Sequence, residues 1–159
     1  MSEGLSPPQA SAMDGVALMA KMVDWALMYS GQGFAVFPLH GIASGRCTCG
    51  VAECDSAGKH PRWDADLLPL GLHSASKDER KIRTWWTRWP NANIAIATGL
   101  VSGVVVVDID GPKGVDSMKM LQRRHGKLQP TRVHQTGKGA HLLYRVTRAA
   151  VKNQTGMVP

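Results

Sequence analysis

The last acidic side chain in this 159-residue chain is Asp116. None of the 12 Asp and Glu residues follows it, whereas nine of the 19 Lys and Arg do. That absence excludes a carboxylate-pair site in the C-terminal quarter and points to an anionic partner there. The formal charge of +7 is therefore a property of the chain's last part. Long apolar runs are missing too, which excludes a membrane-spanning helix. The start, MSEGLSPPQASA, has neither a charged n-region nor an apolar h-region. It is no secretory signal, and the chain reads as cytoplasmic. Cysteine is scarce and odd in number: Cys47, Cys49 and Cys54, all within eight residues. That excludes a disulfide framework and suggests a metal instead. Internal repeats and coiled-coil heptads are absent. What remains, 43% hydrophobic and 19% charged, is a globular domain rather than a disordered tail or a fibre.

Residues 1–13 read as a loose arm and residues 14–159 as one domain. Val16, Ala20, Val23 and Leu27 recur at helical spacing, which predicts a helix over 14–30 ended by Gly31 and Gly33. Residues 34–37 read as a short buried strand stopped by Pro38. Residues 39–70 show no period, and so long a loop needs something to hold it. Ser76-Lys77-Asp78-Glu79 is a capping-box pattern opening a helix to Trp89, where Pro90 follows. Residues 94–97 and 104–110 read as strands. The second is apolar on both faces and is expected in the centre of a sheet. A short helix is expected over 116–125, closed by Gly126. Strands over 131–135 and 140–146 are joined by a Gly-rich turn. The order predicts an α+β domain, with a mixed central sheet flanked by helices.

Asp108 and Asp110 end the valine strand. Residues two apart on a strand share a face, so the two carboxylates point the same way. They repel unless a cation sits between them. Mg²⁺ or Mn²⁺ suits such oxygen ligands together with substrate phosphates, and two such ions would serve phosphoryl transfer. A solvated strand end before the Gly111-Pro112 turn has the same pattern. DxD pairs also occur in glycosyltransferases.

Thr136-Gly137-Lys138-Gly139-Ala140-His141 is the second constellation. Its glycines let backbone approach a ligand, and their N–H groups can meet phosphate oxygens. Lys138 adds charge at the tip. On the following strand His141 and Arg145 share one face, and Ala140, Leu142 and Tyr144 the other. A His and an Arg side by side would hold a triphosphate. A plain polar hairpin is the competing reading, and no Walker lysine motif is present.

Cys47, Cys49, Cys54 and His60 are spaced C-x-C-x4-C-x5-H, a set that suits a closed tetrahedral Zn²⁺ site. Such a metal would fold the irregular loop. His40 is an alternative fourth ligand, and reduced cysteines in a loop are the competing reading. Trp85, Trp86 and Trp89 share one short helix, where they serve either as core or as platforms for bases.

Several segments occur in a characteristic order. Gly33-Phe34-Ala35-Val36-Phe37-Pro38-Leu39 comes first, then the cysteines, then Gly58-Lys59-His60-Pro61, Trp85-Trp86 and Pro90-Asn91-Ala92-Asn93-Ile94. Ala97-Thr98-Gly99, Ser102 to Asp110 and Thr136 to His141 complete it. Over about residues 14–159 the chain resembles the N-terminal domain of bifunctional DNA primase/polymerases, of the archaeo-eukaryotic primase superfamily found in plasmid, phage and other mobile-element replication proteins. The resemblance implies an RRM-like catalytic core and template-directed, divalent-metal-dependent nucleotidyl transfer. A single-stranded DNA template, (d)NTPs and a helicase domain or protein would be its partners. It assigns Asp108 and Asp110 to Mg²⁺ or Mn²⁺ and His141 to catalysis and the incoming triphosphate. Thr136, Gly137, Lys138, Gly139 and Arg145 join His141 in nucleotide binding. Cys47, Cys49, Cys54 and His60 resemble a zinc stem inserted over 39–70. Two departures stand out. Ala140 stands where a second glycine is usual, and the family's third carboxylate, placed after the hairpin, has no counterpart. The expectation is a chain cut just before that acid, and a fragment with little polymerase activity of its own. A binding module for nucleic acid without chemistry is the alternative.

Overall fold

The structure is a computed structural model that describes residues 21–146. The expected arm over 1–13 and the start of the first predicted helix lie outside the described residues. Helix α1, Met22–Gly31, begins where the Lys21 N–H donates to the Asp24 carboxylate at 2.9 Å. It buries Ala26 and turns Met22, Val23 and Leu27 toward the core. Gly33, at φ +90°, then reverses the chain into strand β1, Val36–Leu39.

Pro38 lies inside β1 rather than stopping it. The Ala97 N–H donates to Ala35 O, whereas Val36 exchanges both backbone bonds with Ser76. Alternate residues therefore face opposite edges, and the missing N–H of Pro38 falls on the edge away from β4. Its carbonyl accepts from the Arg62 N–H at 3.1 Å. Strand β4, Asn93–Ile96, pairs antiparallel with β1, Val36 opposite Ile96.

Helix α2, Glu79–Arg88, opens at Asp78, whose carboxylate accepts from the Lys81 N–H at 3.0 Å. Ser76 was expected as the cap. It instead accepts from the Asp78 N–H, because its backbone is held in the bridge to Val36. Ile82, Trp85 and Trp86 recur at helical spacing and are buried, against charged and polar residues on the other face. Both indole N–H groups are satisfied, by Leu67 O at 2.8 Å and Ala92 O at 3.1 Å. Each ring buries enough area to contribute about 4–6 kcal/mol before entropy is charged. Trp85 and Trp86 are thus core, and the base-platform reading fails for them.

The irregular stretch carries a small hairpin, β2 (Ile42–Ala43) with β3 (Arg46–Cys47). Its two turn residues, Ser44 and Gly45, both have positive φ, as a tight hairpin twist requires. The turn delivers Cys47 inward, where it is buried.

The C-terminal part is a three-stranded antiparallel sheet in the order β5-β7-β6, with β5 Val104–Asp110, β6 Arg132–Gln135 and β7 Gly139–Arg145. The expected mixed central sheet is not found among the described residues. Every strand pair there is antiparallel, in separate small sheets, and the middle strand of the largest is β7, not β5. The valines of β5 are mostly half-buried, and among the described residues helix α3 packs against this sheet. That helix, Gly111–His125, starts directly after Asp110 and not at residue 116. Pro112 does not delay it, since a proline in the first turn has no N–H to lose. Gly114 packs against Ile109, which puts α3 on the Ile109 side and leaves the Asp108 side open. Among the described residues no helix is long and apolar enough to cross a membrane.

Candidate active site and metal centre

Register decides which side chains meet on the open face. Asp108 pairs with His141, Asp110 with Gly139, and His141 with His134 on the far strand. Directly paired residues of antiparallel strands project to the same face with Cβ atoms about 4.5–5.5 Å apart. Asp108, His141 and His134 therefore form one row across three strands. His141 Nε2 lies 3.5 Å from Asp108 Oδ1. Both side chains remain open to solvent, at 63% for Asp108 and 44% for His141. Asp110 occupies the same face two residues on, at the N-terminal end of α3, where the helix dipole favours a negative charge. Arg145 and Arg132 stand on this face further from the aspartates, opposite Val104 and Leu143.

The turn at residues 136–139 crosses the end of β5. Gly111 N–H donates to Lys138 O at 3.0 Å. Thr136 Oγ1 accepts from the Gly139 N–H at 2.9 Å, and the Thr136 N–H donates to Gly139 O. The Gly139 N–H is thus spent inside the turn and does not face a phosphate. Gly139 is needed for space: a Cβ there would lie 1.8 Å from Ile109 O. Lys138 and Gly137 remain exposed at the tip.

The second cluster is built from the irregular stretch. Cys47 Sγ and Cys54 Sγ lie 3.4 and 3.5 Å from His60 Nε2. One ligand atom each of Cys47, Cys49, Cys54 and His60 falls within 4.8 Å of all the others. Tetrahedral zinc, with bonds near 2.3 Å to sulfur and 2.0–2.1 Å to nitrogen, sets S···N separations of about 3.5 Å. The donor set and its spacing fit that ion. Burial pushes the Cys47 thiol up, but the Gly58 and Cys49 N–H groups, with the Cys49 and His60 side chains, outweigh it and hold the thiol at about 6. Burial pushes the Cys54 thiol up, and the neighbouring cysteines add to this. His40 is no ligand here: its Nδ1 meets Thr48 Oγ1 at 3.0 Å and its ring packs on His60 at 4.5 Å. Burial, then the charges of Arg62 and His60, lower its basicity. Gly58, at φ +73° with Ile42 carbons 3.3–3.4 Å from where a Cβ would be, closes the loop, and its carbonyl accepts from Asn93 Nδ2 at 2.9 Å.

A family model described as bifunctional DNA primase/polymerase, N-terminal, matches residues 26–158. The chain belongs to this family. No curated protein and no solved structure matches it.

The primase/polymerase domain thus has two clusters, and the described residues bring the expected side chains together within each. Asp108, Asp110, His141 and Arg145 share one sheet face with the tip of the 136–139 turn beside them. No third carboxylate joins Asp108 and Asp110 among the described residues, and the cysteine site is the only group there of three or more candidate metal ligands. Two neighbours escaped the sequence reading. His134 joins the row, and the signal for it was available: a turn at 136–139 forces position 134 opposite 141. Arg62 was the other. Its Nη2 donates to Thr48 Oγ1 at 3.1 Å, and its guanidinium lies 5.2 Å from the Trp89 ring, beside the cysteine site. Nothing in spacing alone predicts that contact, because it joins the metal-like loop to α2's end.

Proposed function

We propose that this domain carries out template-directed nucleotidyl transfer from nucleoside triphosphates on DNA, in plasmid- or phage-type replication. In this reading the 3′-hydroxyl oxygen bonds the α-phosphorus, the bond to the bridging oxygen breaks, pyrophosphate leaves and the proton passes to water. The observation that carries the reading is the row joining Asp108 to His141, with Asp110 beside it, in a chain of this family. Asp108 and Asp110 would hold Mg²⁺ or Mn²⁺. Two exposed carboxylates on one face leave most of a divalent ion's coordination to water and substrate phosphates, as magnesium prefers. The ion would supply charge neutralisation for the triphosphate. His141 would donate a hydrogen bond to the triphosphate, and Lys138, Arg145 and the Gly137 backbone would add to the anion's cradle. Thr136 and Gly139 would act by shaping the turn. The RRM-like core of the family would be the β5-β7-β6 sheet with α3. Cys47, Cys49, Cys54 and His60 would hold a structural Zn²⁺ that fixes residues 39–70 as a stem, within a domain extending over 14–159.

The test is Mg²⁺- or Mn²⁺-dependent binding of a nucleoside triphosphate. The Asp108→Ala, Asp110→Ala double variant should lose it while still binding DNA. A chain that binds DNA but takes up no triphosphate with metal is a nucleic-acid-binding module without chemistry, and overturns the reading. The observation that favours that second reading is the run of nine Lys and Arg, with no acid, after Asp116.

A further inference from the structure

The open face is acidic on β5 and basic across β7 and β6. Strand β5 offers Asp108 and Asp110, β7 offers His141 and Arg145, and β6 offers His134 and Arg132. No acid lies on β6 or β7. His134 is exposed, pairs directly with His141, and sits one strand further from the aspartates. Arg132 follows on the same face, exposed and without an ion pair among the described residues. An anion anchored over Asp108 through a cation, and crossing His141, runs next onto His134. A triphosphate has that length and that increasing negative charge toward its end, whereas a monophosphate stops at β7.

We propose that His134 is a positioning residue for the terminal phosphates of the bound nucleoside triphosphate, with Arg132 behind it. This rests on the nucleotidyl-transfer reading and extends its site from β7 to β6. The role belongs to His134 as a hydrogen-bond donor to an anionic oxygen, a contact stronger than one between neutral groups.

The experiment compares dATP with dAMP binding, in Mg²⁺, for the parent protein, His134→Ala and His134→Arg. His134→Ala should weaken dATP about tenfold and leave dAMP unchanged, and His134→Arg should recover most of the loss. Because the side chain is exposed, the variants should melt with the parent. His134→Ala that binds dATP like the parent overturns the inference and leaves nucleotidyl transfer standing. So does an equal loss for dATP and dAMP, since a merely structural role moves both. Failure of the parent to bind dATP with metal removes the nucleotidyl-transfer reading itself, and this inference with it.

Discussion

Gly139 is where stability and site geometry meet in this domain, so Gly139→Ala is the most informative single change. The added methyl would lie 1.8 Å from Ile109 O, 2.9 Å from Ile109 C and 3.2 Å from Asp110 Cα. These are backbone atoms of the paired strand and cannot swing aside. Relief requires β7 to retreat from β5 by roughly 1.5 Å to restore ordinary contact. The retreat stretches the bond from Gly111 N–H to Lys138 O, now 3.0 Å, and the turn bond from Gly139 N–H to Thr136 Oγ1, now 2.9 Å. Overpacking of about 1–3 kcal/mol and the loss of about one hydrogen bond sum to about 2–4 kcal/mol. In a domain of this size that is a fall in melting temperature of about 4–16 °C. Asp108 and His141 are the next pair on the same face, two positions along, so their 3.5 Å approach opens too, and metal-dependent triphosphate binding should weaken more than the melting shift alone explains. The control is Gly137→Ala in the same turn. Nothing lies within 4 Å of its Cβ position, and its φ is not positive. It should melt with the parent or up to about 1 kcal/mol better. Thermal melts of both variants decide the matter. A Gly139→Ala protein as stable as Gly137→Ala would refute the close approach of the hairpin to β5.

Two further outcomes follow from the other elements. The purified protein should carry about one Zn²⁺ per chain by elemental analysis, and Cys49→Ser should release it and lower the melting temperature; a metal-free protein that melts unchanged would remove the tetrahedral site. The Lys81 N–H holds the Asp78 carboxyl below its ordinary value. Its folded value is thus below its unfolded one, so the cap stabilises fully above the usual carboxylate range, and that contribution is lost as pH falls through the folded value. Asp78→Asn keeps a capping oxygen without a titrating proton and should flatten the acid limb of the melting profile, whereas an unchanged acid limb would show the carboxylate adds nothing.

Much of this was legible from residue order, for physical reasons that differ by element. The period of Ile82, Trp85 and Trp86 determined which face of α2 is buried, since apolar side chains at that spacing must leave water together. The alternation on β5 and β7 determined that Asp108 and Asp110 share a face and that His141 and Arg145 share theirs, because the strand period is two. Three cysteines and a histidine within 14 residues determined that four zinc-type ligands could converge, and the tight β2–β3 turn shows how. Tertiary structure alone decided the rest. Which face of β5 meets which residue of β7 is a matter of register, and it set Asp108 against His141 and brought in His134. The order β5-β7-β6 was not in the pattern, because apolar residues on both faces of a strand say only that it is covered, not what pairs with its edges. The choice of His60 over His40 was likewise tertiary: both lie in the same loop, and only the packing of His40 on Thr48 turned its ring away. The acid-free last quarter of the chain predicts an anionic partner there. The sheet decided that its basic side chains stand in columns beside the two aspartates.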